Sequence, residues 1–211
     1  DSPNGNGVCG YAESPTGSTV AVYGNVVSTT GVAGQFDAPT NGTILLGRVV
    51  TTSFTKVFRV DSTGKGFFNG GTQTGGADFA ESVDAVGGAS HYEPGDVMMI
   101  DETGTRRIAL ANQAYSTRVA GIYSTKPGVL ATPHTMDDSR ISDEVPLAIV
   151  GIVPCKVTAE NGPIHAGDLL VSSSRPGYAM RGTNRQKMLG AVVGKALGSL
   201  NKGTGTIEVL V

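Results

Sequence analysis

Two places in the sequence bring together side chains that could do acid–base or nucleophilic chemistry. The first is the motif Gly75-Gly76-Ala77-Asp78-Phe79-Ala80-Glu81, where Asp78 and Glu81 are three residues apart. On a helical turn the two acids would share one side, whereas on a strand they would face opposite sides. Paired carboxylates can exchange protons or bind a cation. The favoured alternative is structural: Asp78 caps the turn after the glycines, and Glu81 forms a salt bridge with a neighbouring chain.

The second place is the dipeptide Asp61-Ser62. In a strained turn, a serine hydroxyl can attack the carbonyl of the peptide bond before it, which starts an N→O shift. Asp61, Asp78 and Glu81 are the candidate assisting acids for Ser62, and these four residues form the catalytic set of a self-cleavage hypothesis. The favoured alternative is an ordinary hairpin turn, because Asp and Gly occupy the first and last positions of residues 61–64.

No other pattern in the sequence indicates catalysis or a cofactor. The three histidines, His91, His134 and His165, are scattered, without the spacing of zinc ligands. Ser172-Ser173-Ser174 is a serine cluster without a nucleophile elbow, and we interpret it as a turn. We find no Walker-type phosphate loop. The sequence therefore predicts no metal and no cofactor.

Charge and cysteine usage limit the classes of partner. The net charge is −2 and there is no basic run, so we expect neither nucleic acid nor an anionic membrane surface as a partner. No apolar run reaches the roughly 18 residues of a membrane helix. Cys9 and Cys155 form either a disulfide or, as we favour, two buried free thiols. The chain begins at Asp1, so we expect a processed product or a segment of a longer protein.

Residues 1–74 have the composition of a Gly/Thr/Val-rich β stalk. Three short phrases recur, at residues 7–10, 21–24 and 31–34, and each predicts one short strand ended by glycine. Longer strands are predicted at residues 44–50 and 54–60, with a returning strand after the turn at 61–64. Large apolar side chains are too few here to offset the ordering of the backbone. We therefore expect three identical chains to interdigitate, rather than a flexible linker.

Residues 75–211 predict a compact C-terminal β module, a barrel or a sandwich, with an internal duplication at about 82–135 and 145–211. The repeat consists of Gly95-Asp96 and Gly167-Asp168, each followed by an apolar strand. A third strand at 145–153 is predicted to be the most buried. The long loop between Pro133 and Pro146 is the best candidate for a contact or recognition loop.

The motif at 75–81, together with Phe58-Arg59-Val60-Asp61 upstream, resembles the segment that joins stalk to C-terminal module in phage tail-fibre and neck-appendage proteins. The continuation from Pro94-Gly95-Asp96-Val97 to Pro127-Gly128-Val129 is similar to their peptidase G2 domain. It also resembles C-terminal regions of bacterial surface proteins with Gly-rich stalks. The resemblance implies a homotrimer with an intertwined β stalk and a C-terminal intramolecular chaperone module that assists trimer folding. It also implies release of that module by self-cleavage, which would fall at Asp61–Ser62.

The sequence thus predicts an all-β fold, with a trimeric β-prism or β-helix stalk followed by the duplicated module. The first functional hypothesis is a structural homotrimer on a virion appendage or a cell surface, which presents loops to a receptor or to other appendage proteins. The alternatives are a single-turnover self-cleaving chaperone domain and a carbohydrate-binding fibre tip. The lack of Trp weakens the last one, because sugars usually stack on aromatic rings.

Overall fold

A computed structural model describes Thr16 and residues 20–50, 54–72, 75–135 and 138–211. Within these residues the regular structure is all-β, apart from short 3-10 helices at Ala89–His91 and Ser139–Asp143. The chain divides into a smaller unit, residues 1–72, and a larger unit, residues 73–211. The trimeric stalk and the closed barrel or sandwich of the sequence analysis stay predictions.

The smaller unit contains a three-stranded antiparallel sheet, as the apolar runs after residue 43 predict. Its strands are β1 (Thr43–Val50), β2 (Phe54–Asp61) and β3 (Gly66–Phe68), in the order β1-β2-β3. The turn between β2 and β3 depends on Gly64, which has a φ of 82° and donates its amide hydrogen to the Asp61 carbonyl 3.0 Å away. Glycine adopts this left-handed conformation without steric cost.

The repeated phrases at 21–24 and 31–34 are not strands, and the prediction that they would be is wrong in this chain. Among the described residues no strand occurs between 20 and 42. The two phrases do approach each other, since a Cβ on Gly24 would lie 2.7 Å from the Ala33 carbonyl oxygen. Their apolar side chains point into solvent, since Val22 is 75% exposed and Val32 is 74% exposed. A strand needs a hydrogen-bonding neighbour, which the described chain does not supply here; the phrase at 7–10 lies outside the described residues.

The larger unit carries the remaining strands in one mixed sheet, in the order β11-β10-β12-β13-β9-β7-β5-β6-β4-β8. The strands are β4 (Asp78–Ala85), β5 (Val97–Ile100), β6 (Arg107–Leu110), β7 (Val119–Tyr123), β8 (Val129–Ala131), β9 (Val145–Thr158), β10 (Leu169–Ser172), β11 (Ala179–Arg181), β12 (Val192–Ala196) and β13 (Thr204–Leu210).

Strand β9 connects the two halves of this sheet. Its first half pairs with β4 and β7, and its second half pairs with β13 and, through a single residue pair, with β11. Two circuits of strand pairing therefore pass through β9. One runs through β7, β5, β6 and β4, and the other runs through β13, β12, β10 and β11. The burial predicted for residues 145–153 is only partly present. Val145, Leu147, Ala148 and Val153 are buried, whereas Ile149, Val150 and Ile152 are exposed.

The two circuits repeat the same pairings. The parallel pair Ala85–Ile108, which joins β4 to β6, is repeated by the pair Val157–Ala179, which joins β9 to β11. A register irregularity occurs after Met98 in the β5–β7 pair, and another occurs at the equivalent Leu170 in the β10–β12 pair. The pairings place the junction of the two copies inside β9, whereas the sequence pattern predicts copies at about 82–135 and 145–211.

The two Gly-Asp turns that reveal the repeat in the sequence have the same geometry. Gly95 and Gly167 have φ angles of 91° and 94°. Each following aspartate, Asp96 or Asp168, accepts a 2.8 Å hydrogen bond on its carboxylate from the amide three residues earlier. Glycine supplies the left-handed conformation and aspartate closes the turn. The turn then directs β5 and β10 into the core in the same way.

The apolar core lies on both sides of β9. One cluster combines Val153, Cys155 and Val157 of β9 with side chains of β10, β12 and β13, and a second cluster surrounds Met98 and Val145. Cys155 carries a free, fully buried thiol whose pKa is raised by burial, which makes it an inert core residue. Cys9 lies outside the described residues, so its predicted burial as a free thiol stays a prediction.

Candidate functional site

The Gly-Gly-Ala-Asp-Phe-Ala-Glu motif forms the entry to β4. Asp78 is the first residue of the strand, and it lies with Ala80 on the buried face, whereas Phe79 and Glu81 lie on the outer face. This is the alternation of a strand. Asp78 and Glu81 therefore face opposite sides and do not converge on one point, as paired acid–base groups would.

Two glycines let the backbone close around Asp78. A Cβ on Gly76 would overlap the backbone of Pro127 and Gly128, so the chain passes close to that turn. Gly151 of β9 has a φ of 133°, and a Cβ there would lie 2.7 Å from the Asp78 Cα. The Gly128 amide donates a 2.8 Å hydrogen bond to the Asp78 carbonyl. The motif thus needs glycine at position 76 for close packing.

The Asp78 carboxylate is buried and only half satisfied. Its residue is 3% exposed. Oδ1 accepts a 2.8 Å hydrogen bond from the Ser124 hydroxyl, whereas Oδ2 has no hydrogen-bond partner in the described part of the chain. An unsatisfied buried acceptor costs about 1–3 kcal/mol. Such an atom marks a place where a donor from outside this chain would be stabilising.

A second buried polar group joins β4 to the connection between β8 and β9. The Ser82 hydroxyl donates a 2.5 Å hydrogen bond to Glu144 Oε2, and the other Glu144 oxygen lies 2.6 Å from His134 Nε2. Burial alone would raise the pKa of the Glu144 carboxyl, but the hydrogen bonds from Ser82 and His134 outweigh burial and lower it. Since Ser82 bonds to the carboxylate and not to the imidazole, the group lacks the arrangement that activates a serine nucleophile.

These polar residues belong to one copy of the duplication. In the first copy, residues 124–144 lead from β7 to β9 and contain β8, whereas in the second copy residues 197–203 alone lead from β12 to β13. The longer connection is held against β4 by the Ser124 hydroxyl, by the β4–β8 pairing and by the hydrogen bond that Glu144 accepts from Ser82. The length of this loop and the isolated His134 are visible in the sequence. Ser82, Ser124 and Glu144 were not predicted as site residues, because nothing in the local sequence marks them.

The exposed part of this connection is the predicted recognition loop. Arg140 points outwards and its guanidinium contacts the Asp138 carboxylate at 2.6 Å. The hydrogen bonds from Arg140 lower the pKa of Asp138. Asp138 also accepts a bond from the Arg140 amide, which begins the short 3-10 helix at Ser139–Asp143. Met136 and Asp137 of this loop lie outside the described residues.

The other predicted site residues occupy ordinary hydrogen-bonded positions. Glu81 forms a 2.7 Å ion pair with Arg106 of the same chain. The side-chain hydrogen bond from Thr63 is the main cause of a lowered pKa at Asp61, whose Oδ1 also accepts from the amides of Thr63 and Lys65. The Ser62 amide donates to the Gly42 carbonyl at 3.0 Å. Asp61 and Ser62 lie in the smaller unit, whereas Asp78 and Glu81 lie in the larger one.

The part of the chain that the structure describes contains no group of three or more His, Cys, Asp or Glu side chains arranged to hold a metal ion. It also contains no helix long and apolar enough to cross a membrane.

Comparison with known proteins shows a likeness of fold. No protein-family model and no curated protein sequence matches the chain. Among solved structures, the chain is similar to the pre-mature form of gene product 12 of bacteriophage phi29, with a TM-score of 0.54 and 16% sequence identity. The match covers 74% of this chain and 24% of that protein, so the present chain spans about a quarter of its length. The all-β architecture described here is therefore shared with part of a phage protein.

Proposed function

We propose that the chain is a structural protein of a phage appendage, which forms a homotrimer and presents surface loops for attachment. The observation that carries this proposal is the exposure of residues 20–42. Val22, Val27, Val32 and Phe36 are all largely exposed in the single chain. Burying a side chain of this size contributes about 1.5–3 kcal/mol. Sister chains that cover this segment would supply the burial that one chain lacks.

The backbone of the same segment supports association. It carries β-branched residues, yet no strand occurs in it among the described residues. Backbone that is rich in β-branched residues and lacks a strand partner can add as a strand to another chain. Three copies that wind around a common axis would pair these edges without leaving an open end.

The likeness of fold to a phage gene product supports a location on a virion. The longer connection, residues 124–144, supplies exposed loops for contact with a partner. Arg140 lies on its exposed part. Hydrogen bonds of Ser124 and Glu144 attach its two ends to β4. A loop that varies on a rigid sheet is the usual arrangement for recognition. Cell-surface receptors and other appendage proteins are the partner classes that this arrangement would serve.

Sedimentation of two variants of the full chain tests the proposal. Val27→Asp replaces a side chain that is 94% exposed in the single chain, and Leu189→Asp replaces one that is 89% exposed in the larger unit. We expect Val27→Asp to shift the protein from trimer to monomer at micromolar concentration, whereas Leu189→Asp stays trimeric. A wild-type monomer, or no effect of Val27→Asp on a trimer, would contradict the proposal.

The unpartnered oxygen of Asp78 favours a second candidate, the self-cleaving chaperone domain. An unpartnered carboxylate oxygen is free to accept a hydrogen bond from a reacting group. The hypothesis keeps Ser62 as the nucleophile and Asp61, Asp78 or Glu81 as the assisting acid. Intact mass after expression distinguishes the candidates: two fragments that disappear in Ser62→Ala support self-cleavage at that serine, and a persistent full-length chain excludes it.

A further inference from the structure

The outer face of the larger unit carries a contiguous apolar surface around the start of β4. Phe79 is paired in register with Val129 of β8 on one side and with Val150 of β9 on the other. Residues directly opposite each other in a sheet project to the same face. Phe79 is 61% exposed and Val150 is 59% exposed, so this three-strand row faces solvent in the single chain.

The surface continues across β9 onto β13. Ile152 lies two residues beyond Val150 and is also exposed, and it pairs in register with the exposed Leu210. We call the five side chains the β4–β9 face: Phe79, Val129, Val150, Ile152 and Leu210. An exposed apolar surface that spans four neighbouring strands is a recognised mark of an interaction site.

We propose that the β4–β9 face is the contact between the C-terminal modules of sister chains, so that the larger unit is itself part of the trimer interface. This inference rests on the proposed homotrimer. A trimer held together by residues 20–42 would bring three copies of the face to a high effective concentration. Around a three-fold axis, the three copies of the face would point to the axis, and each contact would join different edges of two copies.

Charges beside the face fit a contact between copies. Lys126 and Glu208 line one groove together with Ile152 and Asp78. Lys126 and Glu208 have opposite charge, and both are exposed. In a cyclic trimer, Lys126 of one copy can approach Glu208 of the next. Opposite charges at the rim of an apolar contact fix its orientation, while the apolar side chains form its centre.

The test measures trimer dissociation on dilution of the full chain. We expect Phe79→Lys to raise the concentration at which the trimer dissociates by at least tenfold. The control is Ile100→Lys, which replaces a 53% exposed side chain on β5 and should change it less than twofold. Equal effects of the two variants, or none from Phe79→Lys, would overturn the inference while the proposed trimer stands. A wild-type chain that is monomeric at all concentrations would instead remove the proposed function, and the inference with it.

A charge-reversal cycle separates loss of the contact from misfolding of a single variant. Lys126→Glu and Glu208→Lys should each weaken the trimer, and the double variant should recover most of the loss. Recovery supports a contact between copies across this face. Additive weakening, or no effect of either reversal, counts against the contact.

Discussion

Gly151 of β9 packs directly against Asp78 of β4, and this contact joins the motif at the start of the larger unit to the middle of its longest strand. A Cβ at position 151 would lie 2.7 Å from the Asp78 Cα and 2.8 Å from its Cβ. Gly151 also has a φ of 133°, a conformation that is essentially restricted to glycine. Both features fall at the junction of the two repeated circuits, where one strand serves both.

Gly151→Ala should destabilise the chain more than any substitution of a solvent-facing turn glycine. The new Cβ would clash with Asp78 and would also strain the backbone, each of which costs on the order of 1–3 kcal/mol. Gly162→Ala is the matched control, because Gly162 has a φ of 93° but nothing lies within 4 Å of its missing Cβ. Urea unfolding at fixed protein concentration measures both. Equal losses would show that backbone strain alone acts at position 151.

The stability contributed by Glu144 should disappear in acid. Hydrogen bonds from Ser82 and His134 lower the pKa of this carboxyl below its usual value despite burial. A carboxyl with a lowered folded-state pKa stabilises the fold above its unfolded-state pKa of about 4.3, and this contribution is lost as the pH falls through the folded-state value. We expect wild type to exceed Glu144→Gln in stability at pH 6 and the difference to shrink as the pH falls towards 3.

The measurement is the unfolding free energy of both proteins between pH 3 and pH 7. Glu102→Gln is the control, since Glu102 is an exposed partner of Arg118 and its loss should change little at any pH. A difference between wild type and Glu144→Gln that is the same at pH 3 and pH 6 would contradict the role assigned to the Glu144 charge.

Tyr115→Phe should loosen the loop that follows β11. The Tyr115 hydroxyl oxygen accepts hydrogen bonds of 3.0 and 3.1 Å from the amides of Thr183 and Asn184, and a further bond of 3.1 Å from Asn161 Nδ2. Removing the oxygen loses these hydrogen bonds, and each is worth about 0.5–1.5 kcal/mol net. We expect faster tryptic cleavage after Arg185.

Tyr178→Phe is the control for this loss. The Tyr178 ring stacks beneath the Arg175 guanidinium at 4.8 Å, and its hydroxyl has no hydrogen-bond partner among the described residues. Its removal should leave both stability and tryptic cleavage unchanged. The same rate of cleavage in the two variants would show that the Tyr115 hydroxyl does not hold the loop.

Local features of the larger unit were predictable from sequence because they depend on few residues. Gly95-Asp96 and Gly167-Asp168 specify their turns through a left-handed glycine and a carboxylate that closes the turn, so the repeat is visible without a structure. The shared strand β9 was not predictable, because its two halves acquire different partners only through long-range pairing.

The candidate site was less predictable than the turns. Ser82 and Glu144 are 62 residues apart, and no local pattern links them. The motif at 75–81 indicated an important place, yet the roles of its two acids follow from strand geometry: Asp78 is buried and Glu81 pairs with Arg106 on the surface. At residues 21–24, β propensity predicted a strand that the single chain does not form, because propensity does not provide a pairing partner.

Mass measurement of the intact full chain under native conditions tests the account most directly. The account predicts one species at three times the 21.5 kDa of the chain, with loss of this species when Val27 is replaced by Asp. A species at the mass of a single chain, present at micromolar concentration with residues 20–42 protected from hydrogen exchange, would contradict it.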